Sequence, residues 1–251
     1  MSAPWQVAWI AGASTGIGRA LALDLAHRGV KVAASARNAE ALSQLAAEHP
    51  QIVPYPLDVT DLAGVERTVA NIEATMGPIG LAILNAGLGK FMPARKFDAG
   101  LVREALEINY MGAVHGLEAL LPRMIERGGG HIALTASVAG YSGVPRSGAY
   151  APTKAALINL AEGLHPDAQR FGIKISVINP GFVDTPMTQV NRFKMPFMLT
   201  AEDASRRILA GLEKGRFEIA FPWQMVWTLK VLRLLPYPLY FWIQRRFAMG
   251  R

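Results

Sequence analysis

Short runs of consecutive apolar, β-branched or alanine residues punctuate the chain at 7–11, 30–34, 52–55, 81–84, 131–135, 174–178 and 217–220, each closed by turn-forming residues. A strand with one wet face alternates apolar and polar positions, so unbroken runs this short read as strands buried on both faces. Helix-length segments separate them, at 16–28, 39–48, 62–76, 101–127, 149–170 and 201–214. Alternating strand and helix predicts a doubly wound parallel sheet: a three-layer α/β/α, Rossmann-like fold with right-handed crossovers. No repeat, low-complexity tract or Pro/Gly/Ser linker divides the 251 residues, so one main domain is expected over 1–220, followed by an apolar, basic extension over 221–251. His165-Pro166 falls inside the segment 149–170. A proline there removes a donor and crowds the preceding turn, which predicts a kink or restart near Leu164.

Ligands of such sheets bind beyond the carboxyl ends of the strands, where strand order reverses. The first run ends in Gly12-Ala13-Ser14-Thr15-Gly16-Ile17-Gly18, which leads straight into a helix. Glycines let backbone approach a ligand closely, and a helix start offers free N–H groups and a positive dipole end to a pyrophosphate. The spacing is G-x-x-x-G-x-G rather than G-x-G-x-x-G, and a tight strand-to-helix turn is the competing reading. Arg37 lies nineteen positions after Gly18, at the end of the second strand, where an NAD site would place a carboxylate. An arginine there is either a solvated helix opener or a bidentate partner for a 2′-phosphate, and the second reading favours NADP(H) over NAD(H). Ser14 offers a hydroxyl donor, and Asp58-Val59 and Asn85-Ala86-Gly87 follow the third and fourth strands with groups suited to an adenine edge and a ribose.

Tyr150 and Lys154 stand four apart at the head of a predicted helix, which puts both on one face. An ammonium beside a phenol stabilises the phenolate, which predicts a Tyr150 proton loosened toward working pH for acid–base chemistry. Ser137 follows the fifth strand and can share a hydrogen bond to the same substrate oxygen. Asn109 lies amid apolar residues of the predicted helix 101–127, either as a locally capped side chain or as the anchor of a water relay to Lys154.

Together, Gly12-Ala13-Ser14-Thr15-Gly16-Ile17-Gly18, Asn85-Ala86-Gly87, Asn109-Tyr110-Met111-Gly112, Ser137, Tyr150-Ala151-Pro152-Thr153-Lys154 and Asn179-Pro180-Gly181-Phe182-Val183-Asp184-Thr185 resemble the short-chain dehydrogenase/reductase family, in order, from Val7 to about Gly215. The resemblance implies hydride transfer between NADP(H) and the carbonyl or alcohol carbon of a small substrate. It casts Tyr150 as general acid/base, Lys154 as its partner and ribose contact, Ser137 as ligand of the substrate oxygen and Asn109 as holder of the relay water. Pro180, Gly181, Val183 and Thr185 would lie along the nicotinamide. The other reading of the same fold is a non-catalytic NADP(H)-sensing or membrane-associated binding protein.

Composition narrows the partners. There is no cysteine, which excludes disulfides, thiolate metal sites and a cysteine nucleophile, and the five histidines lack metal-ligand spacing, so no metal is expected. The net charge of +7 suits nucleic acid, anionic lipid or a phosphorylated ligand alike, since net charge speaks to steering rather than identity; no nucleic-acid partner is expected. With no secretory leader pattern at the start, a cytoplasmic location is the expectation. The segment 182–199, with Met187, Phe193, Met195, Pro196, Phe197 and Met198, is expected to form an apolar, adaptable wall for a lipophilic substrate. The extension carries Trp223, Trp227 and Trp242 among Lys230, Arg233, Arg245, Arg246 and Arg251 without a carboxylate. It either folds over the pocket or a neighbouring subunit, in a homodimer or homotetramer, or lies on a membrane surface.

Overall fold

All five residues of β1 (Val7–Ala11) are buried, and they feed two cores in alternation: Val7, Trp9 and Ala11 point to one, Ala8 and Ile10 to the other. That is the signature of a central strand covered on both faces, and it explains why no polar position interrupts the run. The computed structural model describes residues 3–90, 92–190 and 195–248.

After β1 come α1 (Gly16–His27), β2 (Lys31–Ala36), α2 (Ala39–Glu48), β3 (Ile52–Pro56), α3 (Leu62–Met76) and β4 (Leu81–Leu84). The chain then runs through α4 (Ala99–Leu106), a π-helical stretch at Glu107–Met111, α5 (Gly112–Glu126), β5 (Gly130–Thr135), α6 (Ala151–Gln169) and β6 (Ile173–Pro180). It closes with α7 (Pro186–Gln189), α8 (Ala201–Glu213), β7 (Glu218–Phe221), α9 (Trp223–Arg233) and α10 (Tyr237–Ile243). The sheet is seven-stranded in the order β3-β2-β1-β4-β5-β6-β7, with parallel pairing throughout. Leucines and isoleucines of α1, α2 and α8 bury one face, and those of α3, α5 and α6 the other. The fold is therefore the Rossmann-like α/β arrangement that the alternation of runs predicts.

Strand order reverses between β1 and β4, whose last residues Ala11 and Leu84 are in register. Leu84 is paired in turn with Leu134 of β5, and Thr135 with Ile178 of β6. The segments after these strands share one edge of the sheet, which is how residues scattered from 12 to 185 come together.

Three sequence expectations need correction. The segment 101–127 is two helices joined by the π-helical stretch, not one regular helix. Pro166 does not restart α6, which is one helix to Gln169. Pro166 lies in the last turn with both it and Glu162 exposed, so the carbonyl that loses its partner faces water. The boundary drawn after residue 220 falls inside β7, because Phe221 still pairs with Pro180.

Candidate active site

The turn after β1 is closed too tightly for side chains. Gly12 has φ +89°, and a Cβ there would lie 2.7 Å from the Ala86 nitrogen; one on Gly18 would lie 2.0 Å from the Gly12 carbonyl oxygen. The first turn of α1 is thereby pressed onto the end of β1, and the Asn85 side-chain amide pins it by donating to the Gly12 carbonyl at 3.0 Å. Thr15 stands at the N-cap of α1 without a side-chain cap bond, and the first turn holds no acidic residue. An uncapped helix start with positive polarity is what an anionic pyrophosphate needs.

A cleft of about 380 Å³ opens over this turn. Gly12, Ser14, Thr15, Gly16 and Ile17 form its floor; Arg37 borders it from the end of β2, Asp58 and Val59 from the end of β3, and Asn85, Ala86 and Gly87 from the end of β4. The Asp58 carboxyl is held below its usual range, first by the Thr60 N–H and then, against a burial penalty, by the Thr60 hydroxyl and the charge of Arg37. No carboxylate stands at the tip of β2 to oppose a phosphate there.

The other end of the cleft carries Ser137, Tyr150 and Lys154, with Pro180, Gly181, Val183 and Thr185 opposite. Tyr150 occupies the N-cap position of α6, and Lys154 follows one turn later, buried, with its Nζ 5.6 Å from the centre of the Tyr150 ring. Lys154 Nζ donates to the Thr135 carbonyl at 2.7 Å, and burial pushes its pKa down to about 8. Burial also pushes the Tyr150 phenol above its ordinary value, with the neighbouring Ser137 hydroxyl working against it. This corrects the expectation of a loosened proton: both groups are desolvated, and the protein alone keeps the phenol protonated. Ser137 donates to the Pro180 carbonyl at 3.2 Å, which ties the end of β5 to the end of β6.

Of the residues singled out for catalysis or nucleotide binding, two do not line the cleft. Gly18 is a packing position, and Asn109 is buried behind it in the π-helical stretch. Asn109 accepts from the Leu88 N–H at 2.6 Å and donates at 3.0 Å to both the Leu88 carbonyl and the Thr153 hydroxyl. It clips the β4 loop to the helix that carries Tyr150. Both Asn109 Oδ1 and Lys154 Nζ border the space beside Gly87, at 3.5 and 3.6 Å from where a Cβ would stand.

Of the expected apolar wall, Met187 borders the cleft and lies against Gly89, whereas Phe197 and Met198 are exposed outside it. Phe193 lies outside the described residues. Thr135 and Thr188 line the cleft without having been singled out. A hydroxyl closing the apolar run 132–134 of β5 was the available signal for Thr135.

A family model for short chain dehydrogenases matches residues 6–195. The chain belongs to this family. This short-chain dehydrogenase is 35% identical over 240 residues to an uncharacterized oxidoreductase of Myxococcus xanthus, covering 94% of this chain and 95% of the relative. A second such oxidoreductase, from Mycobacterium tuberculosis, is 31% identical over 246 residues, covering 95% and 96%. Among solved structures, a short-chain dehydrogenase of Burkholderia cenocepacia in complex with NADP matches with TM-score 0.83 and 27% identity over 96% of this chain and 98% of that one. One from Burkholderia phymatum in complex with NAD matches with TM-score 0.84 and 25% identity over 92% and 93%. The short-chain dehydrogenase is thus an oxidoreductase by family, with a small-molecule substrate, and its glycine turn, cleft and Tyr150-Lys154 pair occupy a single sheet edge.

Proposed function

We propose that this oxidoreductase moves a hydride between NADP(H) and the carbonyl or alcohol carbon of a lipophilic small molecule, with Tyr150 as general acid/base. The observation that carries the reading is the convergence of Tyr150, Lys154 and Ser137 at one end of a cleft whose other end is an uncapped helix start. Relatives of similar fold were solved with NADP and with NAD, so likeness alone does not choose the nucleotide. Arg37 favours the phosphorylated form, since it borders the cleft where an acidic residue would serve NAD.

Reduced nicotinamide, when bound, supplies the hydride; the chain has to hold the acceptor and move one proton. Lys154 and the Asn85-Ala86-Gly87 loop would engage the ribose near the nicotinamide, and Pro180, Gly181, Val183 and Thr185 would flank the ring. Ser137 orients the substrate oxygen toward the Tyr150 hydroxyl. A phenol kept protonated by burial is in the right form to donate as a carbonyl becomes an alkoxide. Lys154, one turn from Tyr150 and within reach of where the ribose would lie, is the group that would stabilise the phenolate left behind. Asn109 keeps the Leu88 loop and α6 in register and borders the space through which that proton is replaced. Met187 gives the substrate wall its apolar, deformable character.

The test is NADPH oxidation by the purified protein with a panel of lipophilic ketones and aldehydes, alongside Tyr150→Phe. Proton transfer by a positioned group is worth about 10²–10⁴ in rate, and a loss of that size with nucleotide affinity kept is the expected result. Tight NADPH binding with no turnover across the panel would instead favour a nucleotide-sensing protein.

A further inference from the structure

Helix α9 turns its tryptophans outward, and its two cations reach back to bond the body of the protein. On the inner side, Val226 joins Val138 and Tyr141 in a small core, while Lys230 donates to Glu218 and Arg233 to the Tyr141 carbonyl. Burial works to raise the Glu218 carboxyl, but bonds from Lys230, Tyr141 and Asn179 outweigh it and keep it ionised. On the outer side stand Trp223, Trp227 and Val231, 67%, 63% and 53% exposed and spaced to form one stripe. Leu234, just past the helix, is 83% exposed. The next helix, α10, adds the stacked and exposed pair Tyr237 and Phe241, and Trp242 beside them. Exposed apolar side chains in this number mark a contact site.

Charge decides between the occupants. No carboxylate follows Glu218 in the sequence. Arg245 and Arg246, about one turn beyond Phe241 and Trp242, are exposed and make no ion pair among the described residues. A two-fold contact with a second copy would bring the same cations in from both sides, with no carboxylate in either extension to meet them. An anionic bilayer supplies the missing negative charge, and tryptophan and tyrosine rings suit its headgroup depth. Among the described residues, no helix is long and apolar enough to cross a membrane.

We infer that α9 and α10 form a docking element for the surface of an anionic membrane, with the tryptophan stripe at headgroup level and Arg245 and Arg246 against lipid phosphates. The element is tied to the catalytic end of the molecule. Tyr240 and Gln244 both donate at 2.6 Å to the Gly143 carbonyl, in the segment between Ser137 and Tyr150. Met225 lies against Gly181 at the cleft. The inference stands on the exposed stripe and the charge, and holds whatever the substrate.

Full-length protein is sedimented with vesicles of phosphatidylcholine, and with vesicles of phosphatidylcholine and phosphatidylglycerol in equal parts. Strong capture is expected only by the mixed vesicles, with tryptophan fluorescence quenched by brominated lipid. A basic residue near an anionic surface is worth about fivefold in partitioning, so Arg245→Glu/Arg246→Glu is expected to weaken capture at least ~25-fold. Trp223→Ser/Trp227→Ser is expected to weaken it at least ~10-fold by loss of buried apolar area, with NADPH binding unchanged in both variants. The inference is overturned if wild-type protein stays in the supernatant, if both vesicle types capture it equally, or if both variants partition like wild type. It is also overturned if the tryptophan variant splits an oligomer while vesicles capture nothing, which would give the face to a second copy.

Discussion

At the scale of single residues, the chemistry was legible and the electrostatics was not. Tyr150, Lys154 and Ser137 announce themselves by type and spacing, and the structure sets them at one end of one cleft. The direction of the Tyr150 shift could not be read, because it depends on how deeply α6 sinks the phenol, and burial wins over the Ser137 hydroxyl that opposes it. Arg37 is the opposite case: exposed, at a strand tip, and decided by what is missing around it. An arginine–phosphate bond of the charge-assisted kind contributes about 1.5–3 kcal/mol, or roughly ten- to a hundredfold in Kd. Arg37→Asp removes that bond and puts a like charge in its place. NADPH binding is expected to weaken by at least that factor while NADH binding holds or improves, read by titrating nucleotide fluorescence. Equal change for the two nucleotides would contradict the assignment.

Elements were legible where their period was unbroken and illegible where it slipped. The seven apolar runs correspond to the seven strands, with ends displaced by one or two residues because ladder pairing extends past the apolar stretch, as at Asn179-Pro180 in β6. The π-helical stretch was invisible, since its cause is a tertiary one: Asn109 turns inward to bond the Leu88 backbone and Thr153. Wider helical turns of this kind recur at functional sites. Asn109→Ala leaves the half-buried Leu88 N–H and carbonyl without their partner, which costs about 1 kcal/mol. Urea unfolding is expected to show that loss. The turnover number is expected to fall more than nucleotide affinity, because α6 and the β4 loop lose their common register while the glycine turn is untouched. An unchanged unfolding midpoint would mean the amide is dispensable to the joint.

For the whole molecule, the sheet divides labour between its ends: ligand chemistry at the carboxyl edge, and a buried polar joint toward the other. The tail escaped the sequence reading because aromatics and cations mix equally in a lid, an interface and a membrane face; only the docking of α9 on Glu218 and Tyr141 shows which side is left outward. Opposite the cleft, near the start of β5, His131 is 3% exposed and paired through Nε2 with the Ser176 hydroxyl at 2.8 Å. That hydroxyl donates to the Arg216 carbonyl at 2.7 Å, so the imidazole Nε2 is the donor to it. Burial, and then the charge of Lys174, pushes its pKa down to about 4. An unfolded histidine titrates near ~6.5, so below that pH the unfolded chain takes up a proton that the folded one refuses. The stability contributed by the neutral ring is therefore complete above about pH 6.5 and is lost as pH falls toward the folded value. The gap amounts to about 3 kcal/mol. His131→Gln keeps an amide donor for Ser176 but cannot titrate. Urea unfolding between neutral pH and mild acid is expected to show wild type losing about 2–3 kcal/mol more than the variant across that window. Parallel curves for the two proteins would show that the imidazole is protonated as readily in the folded chain as outside it.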